Sequence, residues 1–112
     1  MTPQMSPAGS FLLPASHPMF AGHFPGNPIV PGAYLLALVA RQADDWLRAQ
    51  GEPARVAGVS TVKFVRPLRP AERCEVAFAP PSNAGLRFRL QVEGAACAAG
   101  TFTLDASIGD AR

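Results

Sequence analysis

Polar and apolar residues alternate without a fault over residues 86–93 (Leu-Arg-Phe-Arg-Leu-Gln-Val-Glu). This is the period-two pattern of a strand with one face on a core and the other in water. A shorter copy, Cys74-Glu75-Val76-Ala77-Phe78, puts Cys74, Val76 and Phe78 on one side. Residues 80–85 (Pro-Pro-Ser-Asn-Ala-Gly) join these two strands, and Gly94-Ala95 turns the chain tightly into another strand over 96–104. Upstream, residues 56–65 are β-rich and stop at Arg66-Pro67, and Phe11-Leu12-Leu13 is a short strand that ends at Pro14.

A different period rules residues 32–50. The first two turns are apolar all round, the mark of a buried helix, while Arg41, Asp44, Asp45 and Arg48 make the second half amphipathic. Gly51, followed by Glu52-Pro53, ends it. The predicted order is strand, stiff loop, one helix, then a meander of about four antiparallel strands. One helix buried against a curled antiparallel sheet is an α+β domain. Residues 1–10, with Pro3, Pro7 and Gly9 and no periodicity, read as a flexible arm; 11–104 form the domain; 105–112 read as a flexible tail.

Composition narrows the function. The 112 residues are 48% apolar and 16% charged, which predicts a partner subunit over part of the surface. A net charge of +2 is too mild for a nucleic-acid binder but allows a local basic patch. No apolar run reaches membrane-spanning length and no basic start precedes an apolar core, so the expectation is a cytoplasmic protein without a membrane anchor. Cys74 and Cys97 make no disulfide framework and have no ligand spacing to each other or to His17 and His23, so no metal is expected. Reduced, buried thiols are the reading.

The candidate chemistry lies in His23-Phe24-Pro25-Gly26-Asn27-Pro28-Ile29-Val30-Pro31-Gly32, where three prolines stiffen a loop that leads into the helix. Such a loop holds the His23 imidazole in place. The first backbone N–H groups of the helix, from Gly32, have no intrahelical partner and favour developing negative charge. A fixed imidazole beside an oxyanion-binding helix start suits proton transfer on a carbonyl substrate. His17, before Pro18, carries no such motif and reads as a solvated or capping residue.

Residues 18–32 resemble the active-site segment of the 3-hydroxyacyl-(acyl-carrier-protein) dehydratases, hotdog-fold proteins in which an antiparallel sheet wraps a long helix. Residues 61–70 (Thr-Val-Lys-Phe-Val-Arg-Pro-Leu-Arg-Pro) are similar to the strand and bend that follow the helix in that family. The resemblance covers roughly residues 11–104. It implies that His23 is the base in an elimination of water and that the Gly32 N–H binds the thioester oxygen. It further implies that Phe24, Pro31, Ala33, Ala37 and Phe64 line the substrate site, that the protein is a dimer, and that no cofactor is used.

One departure matters. The family's carboxylate falls on Ala37, and its glutamine one turn later falls on Arg41. This chain supplies the base and the oxyanion donor but not the acid that protonates the leaving hydroxyl. Asp44 and Asp45 lie two turns further on. Tyr34 is a possible proton donor on nearly the same helix face, or else a core residue. The remaining source is quaternary: the family's site lies between subunits, so a carboxylate-bearing paralogue in a heterodimer would complete one site, with Arg41 paired to an acid at the interface. A homodimer of this chain would hold two sites without an acid.

Arg66, Arg69 and Arg73 cluster around the bend after Phe64, either as a solvated edge or as a landing patch for an acidic acyl carrier protein bearing phosphopantetheine. The expected function is a dehydratase subunit of fatty-acid or polyene-type biosynthesis. The alternatives are a non-catalytic acyl-binding subunit and, less supported, a thioester hydrolase.

Overall fold

A computed structural model describes residues 4–20 and 29–106. Five strands form one antiparallel sheet: β1 (Ser6–Leu12), β2 (Ala54–Phe64), β3 (Arg73–Phe78), β4 (Leu86–Val92) and β5 (Ala95–Ala106). A single 3-10 turn spans Pro18–Phe20, and the helix α1 runs Gly32–Ala49. The expected α+β hotdog architecture is what folds, a long helix against a curled sheet.

Alternation does its work along β4. Leu86, Phe88, Leu90 and Val92 are buried while Arg87 and Arg89 face water. Cys74, Val76 and Phe78 from β3 and Cys97 and Phe102 from β5 complete the sheet's inner face. Phe88 stacks on Phe102 at 4.6 Å between ring centroids. The helix answers with Leu35, Val39, Ala43 and Leu47, one residue every turn, and Trp46 meets Phe78 at 5.3 Å. The Asp44 carboxylate accepts the Val56 N–H at 2.7 Å, and the Gly32 end of the helix meets Phe64, so α1 runs antiparallel to β2.

Three expectations need correction. The sheet is not a simple meander: the order is β1-β3-β4-β5-β2, so only β3, β4 and β5 follow one another. β2 pairs with β5 at one edge, and the chain then crosses to β3 near the other edge. The first strand starts at Ser6, five residues earlier than expected, so 6–10 are not an arm. Pro7 and Gly9 hid it, yet Pro7 costs little on an edge strand, and a register shift between the two absorbs the irregularity. Likewise β5 runs on to Ala106, while 107–112 and 1–3 lie outside the described residues.

The third correction concerns the helix. Its first two turns are not buried all round: Leu35 and Val39 are, but Ala33 and Ala37 are exposed. Among the described residues one helix lies on one sheet, and its stripe of buried residues faces that sheet.

Register shifts in β2 and β5 curl the sheet around α1. At Gly100 a Cβ would run into the Thr61 carbonyl oxygen across the bulge in β2. Among the described residues two non-glycine residues have positive φ: Glu93 (52°), in the two-residue turn with Gly94, and Ala71 (65°), whose N–H donates to the Leu13 carbonyl at 2.7 Å. Among the described residues no helix is long and apolar enough to cross a membrane.

A left-handed alanine costs about 1–2 kcal/mol that glycine avoids. Ala71→Gly should therefore raise unfolding stability, by roughly 0.5–1 kcal/mol once glycine's extra chain entropy is subtracted. Urea denaturation of the two proteins measures it; a loss of stability would show that the Ala71 conformation is not held as described.

Candidate functional site

The start of α1 is built by the chain on either side of it. Val30 N–H donates to the Leu68 carbonyl at 2.8 Å, which ties the segment entering the helix to the bend after β2. Pro31 is the N-cap residue with φ −59° and offers no side-chain cap; the first helical bond runs from Leu35 N–H to the Pro31 carbonyl at 3.0 Å. The N–H groups of Gly32, Ala33 and Tyr34 thus lack an intrahelical acceptor, and no acidic residue occupies the first turn. Partial positive charge collects at this end.

Beside it lies a cavity of about 460 Å³, walled by Val30, Gly32 and Leu35 on one side and by Phe64, Arg66 and Leu68 on the other. Gly32 lets Phe64 lie close: a Cβ there would sit 3.0 Å from the far edge of the ring, which would have to give by a few tenths of an ångström. The ring is 47% exposed, so it forms a wall at the mouth of the cavity instead of joining the core. Apart from Arg66 the named walls are apolar, a chemistry that suits an acyl chain.

The bend over residues 65–72 is fixed from several directions. The Cys97 carbonyl accepts both the Val65 and Arg66 N–H groups, at 2.8 and 3.3 Å, and the Cys97 thiol donates to the Arg66 carbonyl at 3.5 Å. The Arg66 guanidinium binds one Glu72 oxygen at 2.7 Å, and the Arg69 N–H donates to the other at 2.8 Å. Burial opposes ionisation of Glu72, but the bonds from Arg66 and Arg69 outweigh it and hold the carboxyl below its ordinary range. Sequence reasoning passed over Glu72. The available signal was an acid closing a bend bounded by Pro67 and Pro70 with arginines inside it.

Of the residues singled out from sequence, the cavity brings together Gly32, Phe64 and Arg66. Pro31, Ala33 and Ala37 are exposed and outside its walls, while His23 and Phe24 lie outside the described residues. Tyr34 is half-buried, packs on the core, and sets its ring edge-on to His17 at 6.1 Å. Arg66 is matched by Glu72; Arg73 donates to the Ser10 hydroxyl at 3.0 Å; Arg69 and Arg73 are exposed. Cys74 and Cys97 are buried free thiols. Burial, with smaller contributions from Cys97 and Glu75, pushes the Cys74 thiol up to about 12.

On this hotdog fold the start of the helix, with its free N–H groups, opens beside a largely apolar cavity. The model of the ApeI-like family, described as ApeI dehydratase, matches residues 3–101, and the chain belongs to that family. It is a divergent member of the hotdog dehydratases. The 3-hydroxyacyl-[acyl-carrier-protein] dehydratase FabZ of Chloroflexus aggregans is 34% identical over 76 residues, 64% of this chain and 53% of that one. The chain spans about half the length of the curated relatives it matches.

Two solved structures share the fold. The dehydratase heterocomplex ApeI:P from Xenorhabdus doucetiae superposes with a TM-score of 0.70 at 24% identity, covering 93% of this chain and 98% of that one. The fluoroacetyl-CoA thioesterase FlK gives 0.60 at 14% identity, covering 96% and 89%.

Two outcomes test this description. Glu72→Gln should lower stability at neutral pH by about 1–2 kcal/mol, the range for a charge-assisted hydrogen bond. Because the folded-state carboxyl titrates below its ordinary value of 4.5, that contribution is complete above 4.5 and lost as pH falls through the folded value. The two proteins' denaturation curves should therefore converge in acid; a difference independent of pH would refute the ion pair. Native Cys74 should resist iodoacetamide at pH 8 under conditions that alkylate the unfolded chain completely, as read by mass spectrometry.

Proposed function

We propose that this chain is one subunit of a heteromeric dehydratase acting on 3-hydroxyacyl thioesters borne by an acyl carrier protein, in the cytoplasm, within fatty-acid or polyene-type synthesis. The observation that carries the reading is the pairing of a complete oxyanion end with an absent acid. Gly32 opens the helix onto an apolar cavity beside Phe64, while the position of the family's carboxylate is an exposed alanine, Ala37. Resemblance to a structure described as a dehydratase heterocomplex supports an unlike partner.

The chemistry divides between two chains. The His23 imidazole takes the proton α to the thioester carbonyl, and negative charge grows on the carbonyl oxygen. The Gly32 N–H donates to that oxygen; loss of such a donor typically costs about 2.7–4 kcal/mol of transition-state stabilisation. The electron pair moves in to form the C2–C3 double bond as the C3–O bond breaks. The hydroxyl leaves as water, taking its second proton from a carboxylic acid of the partner. The partner's place is the free edge of β2 and the helix face above it. Val59 on that edge and Phe64 and Val65 at its end are exposed large apolar residues, and an eleven-residue edge strand left open invites pairing.

Ala37 also favours a second reading, an acyl-binding subunit that kept the fold and lost the chemistry. Dehydration of a 3-hydroxyacyl-carrier protein, followed by mass spectrometry, separates the two. The purified chain alone should be inactive, and its complex with a carboxylate-bearing paralogue should turn over. His23→Ala in this chain should then cut the rate by roughly 10²–10⁴-fold, the usual contribution of a general base. An unchanged rate would assign all the chemistry to the partner.

A further inference from the structure

The outer face of the sheet carries a cluster of cations that the site does not use. Arg87 and Arg89 project from β4, opposite in direction to the buried Leu86, Phe88 and Leu90. In the register Arg89 faces Ala99 on β5, and Ala99 faces Lys63 on β2, so the two cations flank an alanine on one row. Arg87 faces Thr101, which faces Thr61, on the next row. Strand geometry places Arg87 and Arg89 about 7 Å apart along the strand and Lys63 roughly 10 Å across the sheet from Arg89. Arg87 and Arg89 border a shallow depression of about 320 Å³ lined also by Met5, Thr61, Ala99 and Thr101, and Lys63 lies just beyond it, across from Ala99.

Among the described residues none of these three cations is in an ion pair. Glu75 lies beside Arg89 in the neighbouring depression but does not bridge to it. By contrast, Arg66 of the bend is already matched by Glu72. Arg69 and Arg73 of the bend are, like the sheet-face cations, in no ion pair among the described residues, but the sheet face groups three cations on two adjacent rows.

We propose that Lys63, Arg87 and Arg89 form the docking surface for an acidic helix of the protein that carries the acyl group. This rests on the reading of the chain as a thioester dehydratase subunit and names where its carrier binds. Acidic residues three, four and seven apart on a helix lie about 5–6 and 10 Å from one another, which matches the spacing of the three cations. The small floor lets a helix approach closely. Lys63 directly precedes Phe64, whose ring walls the acyl cavity on the opposite face, so the surface adjoins the cavity mouth at the end of β2. A lipid surface fits less well, because the exposed large apolar residues are Leu12, Val59, Phe64 and Val65, and none lies within the cluster.

The test is direct binding of an acyl carrier protein loaded with a 3-hydroxybutyryl group to the full chain, with its partner subunit if one co-purifies, by fluorescence anisotropy. Wild-type protein should bind, with affinity falling as salt rises. Combined Lys63→Glu, Arg87→Glu and Arg89→Glu should weaken binding at least ten-fold, and the glutamine triple variant by a smaller factor. Arg48→Glu, on the far side of the helix, should change it less than two-fold. Thermal melts show that each variant is folded, and the glutamine variant keeps the test decisive if the glutamate one is not.

Four outcomes would overturn the proposal: no binding by the wild type, binding indifferent to the triple changes, the loss appearing instead on Arg69→Glu with Arg73→Glu, or Lys63-, Arg87- and Arg89-dependent capture by phosphatidylserine vesicles in place of the carrier. Because binding is read without turnover, a chain that binds the carrier but never dehydrates would sink the dehydratase reading and leave this surface standing. A complex that dehydrates the thioester yet binds its carrier regardless of these charges would do the reverse.

Discussion

A single helix laid on a single sheet can be buried along only one stripe, and the rest of this molecule follows from that asymmetry. Leu35, Val39, Ala43 and Leu47 make the stripe, and the sheet curls through bulges in β2 and β5 to meet it. The helix face above carries Ala33 and Ala37, small side chains open to solvent. On the proposed reading this face is also where the acid is missing, so a single partner subunit would cover the surface and complete the chemistry.

The second constraint is the bend after β2. It must carry the chain from one sheet edge toward the other while forming a wall of the cavity beside the helix start. Cys97 holds its beginning through three bonds, and Glu72 closes it through Arg66 and Arg69. Ala71 accepts a left-handed backbone to complete the crossing. These bonds hold the bend in place beside the cavity, whose mouth is walled by Phe64 next to Gly32. The Cys97 thiol, buried and raised above its ordinary range by burial, serves as a hydrogen-bond donor and not as a nucleophile.

Charge is distributed with similar economy. Arg48 pairs with Asp45 and Arg66 with Glu72, while the cations of the outer sheet face stay unmatched. Alternation along β4 serves two functions at once: every second residue builds the core, and the intervening arginines build a surface that attracts acidic protein.

Periodicity made the helix and four of the five strands legible, because burial of one face imposes a repeat of 3.6 or 2 on the residues themselves. The first strand was read only at Phe11–Leu13 because it is an edge, mostly exposed, and broken by Pro7 and Gly9, so no face is selected before Ser10. The helix start at Gly32 was also readable, since it is a matter of residue type and spacing. What only the folded chain decided were long-range neighbours. β2 lies beside β5 and not β3, Phe64 fits where Gly32 has no side chain, Glu72 takes up the charge of Arg66, and Lys63 joins Arg87 and Arg89 across two strands. Sequence determines local periods and chemistry because those act within a few residues. Pairing across a sheet is set by which distant surfaces bury each other best, and that comparison exists only in three dimensions.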